Sequence, residues 1–169
     1  MNRVLLASAA LLLLLPAAGA VAKSTDRNQA MSIDAGGQSG NLEGDGKTVL
    51  SGGVVVTQGS LEIRSSAAEI YMAGGEISRS VFTGKQVKMK QQMDNGSWMD
   101  AQADRVEYDM KTETITFIGN YTVKSDRGSN SGQRMVYNTK TGNMQAGGDG
   151  SRIKTVIQPK SAAPAQGKN

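Results

Sequence analysis

The C-terminal half of the chain repeats itself. Arg105-x-x-Tyr108-x-x-Lys111-Thr112, with Gly119 beyond it, returns 29 residues later as Arg134-x-x-Tyr137-x-x-Lys140-Thr141, with Gly148 beyond it. Matched residue types lie between the identities without a gap: Val106 with Met135, Asp109 with Asn138, Ile115 with Met144. A chain that reuses one short unit stacks small supersecondary pieces, and repeats of this length are usual in solenoid-like architectures. A fainter echo lays Leu50-Ser-Gly52-Gly53-Val-Val-Val-Thr57 over Phe117-Ile-Gly119-Asn120-Tyr-Thr-Val-Lys124.

From Met31 onward apolar and polar residues alternate, as in Leu61-Glu-Ile63-Arg64, Val106-Glu-Tyr108, Ile115-Thr-Phe117 and Tyr121-Thr-Val123. That period of two belongs to strands. Glycine-rich turns punctuate it at Ala35-Gly36-Gly37, Gly44-Asp45-Gly46, Gly52-Gly53, Ala73-Gly74-Gly75, Asp94-Asn95-Gly96, Gly119-Asn120 and Gly147-Gly148-Asp149-Gly150. No window joins helical spacing to an N-cap and sufficient length, so the fold class is all-β. Each strand carries only two or three inward apolar residues, so two layers must face each other. Between them stand many methionines, among them Met31, Met72, Met89, Met93, Met99, Met110, Met135 and Met144. Such a lining adapts to cargo of irregular shape. It equally fills a narrow sandwich core.

Met1 to Ala22 has the form of a cleavable leader: Arg3, the apolar run Val4 to Leu15, and the small residues Ala20-Val21-Ala22. The run is shorter than the roughly 20 residues that span a bilayer. No Cys stands at the mature start, Lys23, so no thioether-linked lipid is expected there. Residues 23–28 read as a loose N-terminus, 29–158 as one folded domain, and 159–169 as a disordered polar tail. Nineteen Lys and Arg against fifteen Asp and Glu favour anionic partners only weakly. Scattered cations and few aromatics do not make a nucleic-acid platform.

Nothing in the chain supports catalysis strongly. The absence of His and Cys removes the commonest general base, the commonest transition-metal ligand and the thiol nucleophile. The glycine-rich stretches do not lead from a strand into a helix, so they are turns rather than phosphate loops. Asp94, Asp100, Asp104, Glu107 and Asp109 form the one acidic cluster, yet without the regular close spacing and bend glycine of a calcium loop. They read as a solvated face. No metal or cofactor is expected.

Gly52-Gly-Val54-Val-Val-Thr-Gln-Gly59, Gly84-Lys-Gln-Val-Lys-Met89, Gln92-Met-Asp-Asn-Gly96, Ala103-Asp-Arg-Val-Glu-Tyr108, Phe117-Ile-Gly-Asn120 and Thr155-Val-Ile-Gln-Pro159, in this order and spacing, resemble the OstA-like family of periplasmic lipopolysaccharide-transport proteins. The likeness runs from Gln29 to Pro159. It implies a folded-over antiparallel V-shaped β-jellyroll, open at both ends, that shields lipid A acyl chains and is not an enzyme. It further implies stacking end to end between inner and outer membranes. The implied partners are lipopolysaccharide, the inner-membrane-anchored jellyroll LptC of an ATP-driven extractor, the outer-membrane barrel complex LptD/LptE, and further copies of the chain, head to tail.

Carried onto this sequence, the family's apolar pair in the first strand falls on Met31 and Ile33, expected to meet both lipid and the upstream partner. The remaining groove candidates are Val54, Val56, Leu61, Ile63, Val87, Met89, Val106, Tyr108, Ile115, Phe117, Tyr121, Val123, Met135, Tyr137 and Met144. Where the family often has an aromatic, Met89 stands here. Simple core packing is the alternative role for each. An open sheet leaves unpaired backbone groups at its edges, so the docking strands are expected at Met31, Ser32, Ile33 and Asp34 and at Ile153, Thr155, Val156 and Ile157. Two rival readings are a periplasmic filament protein that binds no lipid, and a glycan hydrolase using Asp100 and Asp104.

Overall fold

The computed structural model describes residues 22–148 and 150–159. The expected leader up to residue 21 and the tail from residue 160 lie outside the described residues. Ten strands follow one another: β1 Met31–Ser39, β2 Gly46–Gln58, β3 Leu61–Ser65, β4 Ala67–Ala73, β5 Glu76–Gln92, β6 Trp98–Asp109, β7 Thr114–Ser125, β8 Gly128–Asn138, β9 Met144–Ala146 and β10 Lys154–Ile157. Every pairing is antiparallel, in the order β1-β2-β3-β5-β6-β7-β8-β10, with β4 between β2 and β5 and β9 on β8. The sheet does not close on itself: β1 pairs β2, and β9 and β10 both pair β8.

A line of backbone irregularities crosses this sheet and folds it double. Register slips fall between Ala35 and Gly37, Thr83 and Val87, Gln102 and Arg105, and Ile118 and Tyr121. In β2 the same line passes through Gly52 and Gly53, with φ of 77° and 86°, and in β7 through Gly119 and Asn120, with φ of 76° and 45°. These are left-handed conformations that glycine, and after it asparagine, adopt at least cost. Bulges of this kind bend a strand sharply. The fainter sequence echo therefore marks the same corner in two strands, in the register Gly52 over Gly119.

The corner divides the long strands between two layers. The first holds 31–35, 54–58, β3, 87–92, 98–103, 121–125, 128–132 and β10; the second holds 37–39, 46–51, β4, 76–83, 105–109, 114–118, 134–138 and β9. Inward side chains of both layers form one apolar cluster, from Leu50, Ile70 and Phe82 in the second to Val54, Ile63 and Met89 in the first.

The 29-residue repeat is a pair of neighbouring second-layer hairpins, which meander rather than coil as a solenoid would. Asp109 and Asn138 occupy the same place in each turn, where their side-chain oxygens accept the amides of Thr112 and Thr141, both at 2.9 Å. Glu113 and Gly142, matched in the repeat, are both left-handed.

Residues 23–28 depart from expectation. Ser24–Asn28 is a 3-10 turn, and Asp26 within it is buried. Polar residues read as loose from sequence are held here by partners distant in the chain. The Lys23 amide donates to the Gln92 carbonyl at 3.0 Å and the Ser24 amide to Asp94 Oδ1 at 2.9 Å.

Candidate functional site

Among the described residues, most of the sequence-predicted groove residues converge in the interior between the layers. Thirteen of them, from Val54 and Val56 through Val87, Met89, Val106 and Phe117 to Met135 and Tyr137, are no more than 5% exposed. Cross-strand pairing puts them in rows: Val56, Ile63 and Met89 run across the first layer, and Val106, Phe117 and Met135 across the second, where Phe82 extends the row. Alternation along each strand sends polar neighbours outward.

The ends of the track differ from its middle. Met31 and Ile33, at the β1 end, are half-buried against the cluster, as is Tyr108 on the central strand β6. Met144, expected in the lining, pairs with Tyr137 and shares its face, but β9 is the last strand of its layer among the described residues, and none of them covers Met144, which is 49% exposed. The first layer turns polar as it approaches β10. There the Tyr121 hydroxyl donates to Asn130 Oδ1 at 2.5 Å, and Asn130 Nδ2 to Thr155 Oγ1 at 2.8 Å.

Leu50, Ala68, Ile70, Phe82, Met93, Met99, Ala101 and Ala103 also line the interior, and the groove candidates omitted them. Two of these strands carried the signal, since Ala68-Glu-Ile70 and Met99-Asp-Ala101-Gln-Ala103 alternate in phase. Alanine is too small to register as a core residue by pattern alone.

The residues proposed as docking edges lie at the two ends of the sheet. Met31 to Asp34 pair with β2 on one side, and Thr155, Val156 and Ile157 pair with β8. Ile153 lies just before β10 rather than within it. Ile157 is 80% exposed and Val156 41%.

The acidic cluster is dispersed among structural duties. Asp94 and Asp109 accept turn amides. Asp104 accepts from Asn120 Nδ2 at 2.7 Å, across the corner. Glu107 takes Arg79 at 2.6 Å and Arg105 at 2.7 Å. Burial pushes the Glu107 carboxyl up, but the two guanidiniums outweigh it and hold the group below the usual carboxylate range. Asp100 stands opposite Lys90 and Lys124 on the outer face of the first layer, in a shallow depression of about 380 Å³ that also includes Arg64 and Lys88. Among the described residues no group of three acidic, His or Cys side chains could hold a metal ion.

Residues 32–143 match the family described as "LptA/(LptD N-terminal domain) LPS transport protein". The chain belongs to that family. The lipopolysaccharide export system protein LptA of Haemophilus influenzae is 32% identical over 163 residues, 92% of each chain. LptA of Escherichia coli K12 is 30% identical over 160 residues, 88% of this chain and 86% of its own. Among solved structures, LptH of Pseudomonas aeruginosa, described as the LptA-homologous periplasmic component of the lipopolysaccharide transport device, superposes with a TM-score of 0.72. It is 24% identical and covers 80% of this chain and 99% of its own. That superposition agrees with a β-jellyroll. LptA-family proteins are lipopolysaccharide-transport proteins and not enzymes, so the hydrolase reading of Asp100 and Asp104 falls. No helix among the described residues is long and apolar enough to cross a membrane.

Proposed function

We propose that this chain carries lipopolysaccharide with the lipid A acyl chains held between its two layers, and that copies stack end to end through their sheet edges. The observation that carries this reading is the unbroken apolar cluster running from β1 to β9 between the layers, with half-buried apolar residues at one end and Met144 uncovered at the other. Each methylene kept from water is worth about 0.8 kcal/mol, so a single acyl chain exposed in the periplasm costs on the order of 10 kcal/mol. Acyl chains need a continuous apolar track, which a lone pocket does not provide. The anionic headgroup stays outside, near the scattered cations.

The middle of the track is filled by its own side chains. Loading therefore requires the layers to part and the lining to repack. Groove residues Met31 to Met144 are the proposed lipid contacts. The β1 edge meets an upstream jellyroll of the LptC kind, and β10 meets another copy or the LptD/LptE complex. Cleavage after Ala22 releases the chain to the periplasm, and Edman sequencing of the exported protein should begin at Lys23.

The reading is tested by a photoactivatable residue at Phe82 or Ile33, inside, and at Val49 or Lys88, outside. Lipopolysaccharide should label from the inner pair alone. Equal labelling from both pairs overturns the groove. Aspartate at Phe117 should abolish labelling from Ile33 while the protein remains folded, whereas the filament reading expects transport to survive it. Photocrosslinks from Ile33 and Val156 should join separate monomers; label confined within one monomer refutes stacking.

A further inference from the structure

The two layers are joined along the corner, and their opposite rims are rows of turns. In the first layer these are the turns at Gly59–Ser60 and Asp94–Gly96; in the second, those at 110–113 and 139–143. The segment Lys23 to Gln29 lies across the gap between these rims. On the first-layer side, Asp26 accepts from the Ser60 hydroxyl, Gln58 Nε2 donates to the Arg27 and Gln29 carbonyls at 3.3 and 3.1 Å, and Lys23 Nζ reaches Gln92 Oε1 at 3.1 Å. On the second-layer side, Arg27 bonds Glu113 and, at 3.4 Å, Thr139 Oγ1.

One feature of the first rim is shaped for this segment. Gly59 is left-handed at φ 59°, and a Cβ there would overlap the Asp26 carboxyl. Only a bare backbone at 59 lets Asp26 become buried as deeply as it is, at 5% exposure.

The chemistry of the strap differs from that of a permanent plug. A plug would bury apolar side chains, but Lys23 to Gln29 contains none, and its contacts are hydrogen bonds and one ion pair that water can replace. Its link to the second layer, Arg27 with Glu113, is about one-third exposed on both sides. Segments held by few, water-accessible bonds open locally without global unfolding.

We propose that Lys23 to Gln29 is a releasable latch across the long open side of the fold, whose detachment from Glu113 and Thr139 lets the layers part for cargo. The inference rests on the lipid-carriage reading above. It is tested on the mature chain with Arg27→Glu, Glu113→Arg and the double reversal, in which the ion pair is rebuilt with its signs exchanged. Two rates are read: uptake of purified lipopolysaccharide, and hydrogen exchange of the Ser24 and Gln29 amides, bonded to Asp94 and Asp26, without lipid.

Each single reversal should raise both rates about fivefold, the scale of one partly exposed pair, and the double reversal should restore them to within about twofold. Parental uptake in the single variants, or a double variant that stays fast, overturns the latch and leaves lipid carriage standing. If no variant and no parent takes up lipid, carriage falls instead. Exchange then decides the latch by itself: accelerated in the singles and restored in the double supports it, unchanged exchange refutes it.

Discussion

Replacing Gly52 and Gly53 separately with alanine dissects what the corner demands. Both residues are left-handed, a conformation that costs an L-residue about 1–2 kcal/mol. Alanine recovers part of that by restricting the unfolded chain, about 0.4–1 kcal/mol. At Gly53 an added Cβ meets nothing within 4 Å, so the net loss should be about 1 kcal/mol. At Gly52 the same Cβ falls 3.1 Å from the Gly36 Cα and 3.4 Å from its carbonyl carbon. Those are backbone atoms of β1, and relieving them means bending an edge strand away from its partner, which adds about 1–2 kcal/mol. Gly52→Ala should therefore lose about 2–3 kcal/mol, a fall of roughly 1 M in urea midpoint for a slope in the small-protein range. Equilibrium urea unfolding of the mature chain, followed by circular dichroism, measures both. Gly53→Ala losing as much as Gly52→Ala would refute the close approach, and neutrality of both would refute a left-handed corner.

Phe117→Ala should cost about 3–5 kcal/mol in the same assay, as expected for an aromatic wholly enclosed between Val106 and Met135; a loss below about 1 kcal/mol would mean the interior is not packed at Phe117. Burial pushes the Tyr137 hydroxyl from 10.0 up to about 12. The folded state thus prefers the neutral phenol, and its contribution is complete below pH 10 and lost as pH rises toward 12. Tyr137→Phe should show a shallower alkaline loss than the parent in that window, and parallel curves would contradict the burial. Glu107 has the opposite sign: its pKa is depressed, so its contribution is present above the ordinary value of 4.5 and disappears as pH falls below it. Glu107→Gln should flatten acid unfolding, and an unchanged acid limb would refute the role of Arg79 and Arg105.

Strand identity and the inward face were legible because period-two alternation is a direct imprint of burial on one side of a pleat. Ile115-Thr-Phe117 could be assigned from three residues, and Phe117 is wholly buried. The corner was half legible. Its glycines were visible, but they read as turns between strands, whereas Gly52–Gly53 bends a single strand that runs from Gly46 to Gln58. A turn and a bend draw on the same left-handed residues, and only the pairing on either side tells them apart. The strap was not legible at all. Ser24 to Asn28 is polar without apolar periodicity, and what orders it is partners 31 to 112 residues away, such as Gln58 and Thr139. Met144 shows a related limit: alternation gives the face a residue occupies, shared here with Tyr137, but not whether its strand is the last one in the layer.

The filled interior and the proposed cargo are compatible because of what fills it. Met89, Met93, Met99 and Met135 are among the buried residues, and an unbranched thioether side chain can change rotamer to follow a guest without backbone rearrangement. When an acyl chain slides between the layers, each lining residue exchanges one apolar neighbour for another, so little protein surface is newly wetted. The gain is then the methylenes withdrawn from water, on the order of 10 kcal/mol per chain. Against it stand the polar bonds across the rims and the bending of the corner. Those bonds are each worth about 0.5–1.5 kcal/mol net, so several must break before their sum rivals one acyl chain. A fold that joins its layers by backbone on one side, and by a few hydrogen bonds on the other, places the resistance to loading in the interactions that water can most readily replace.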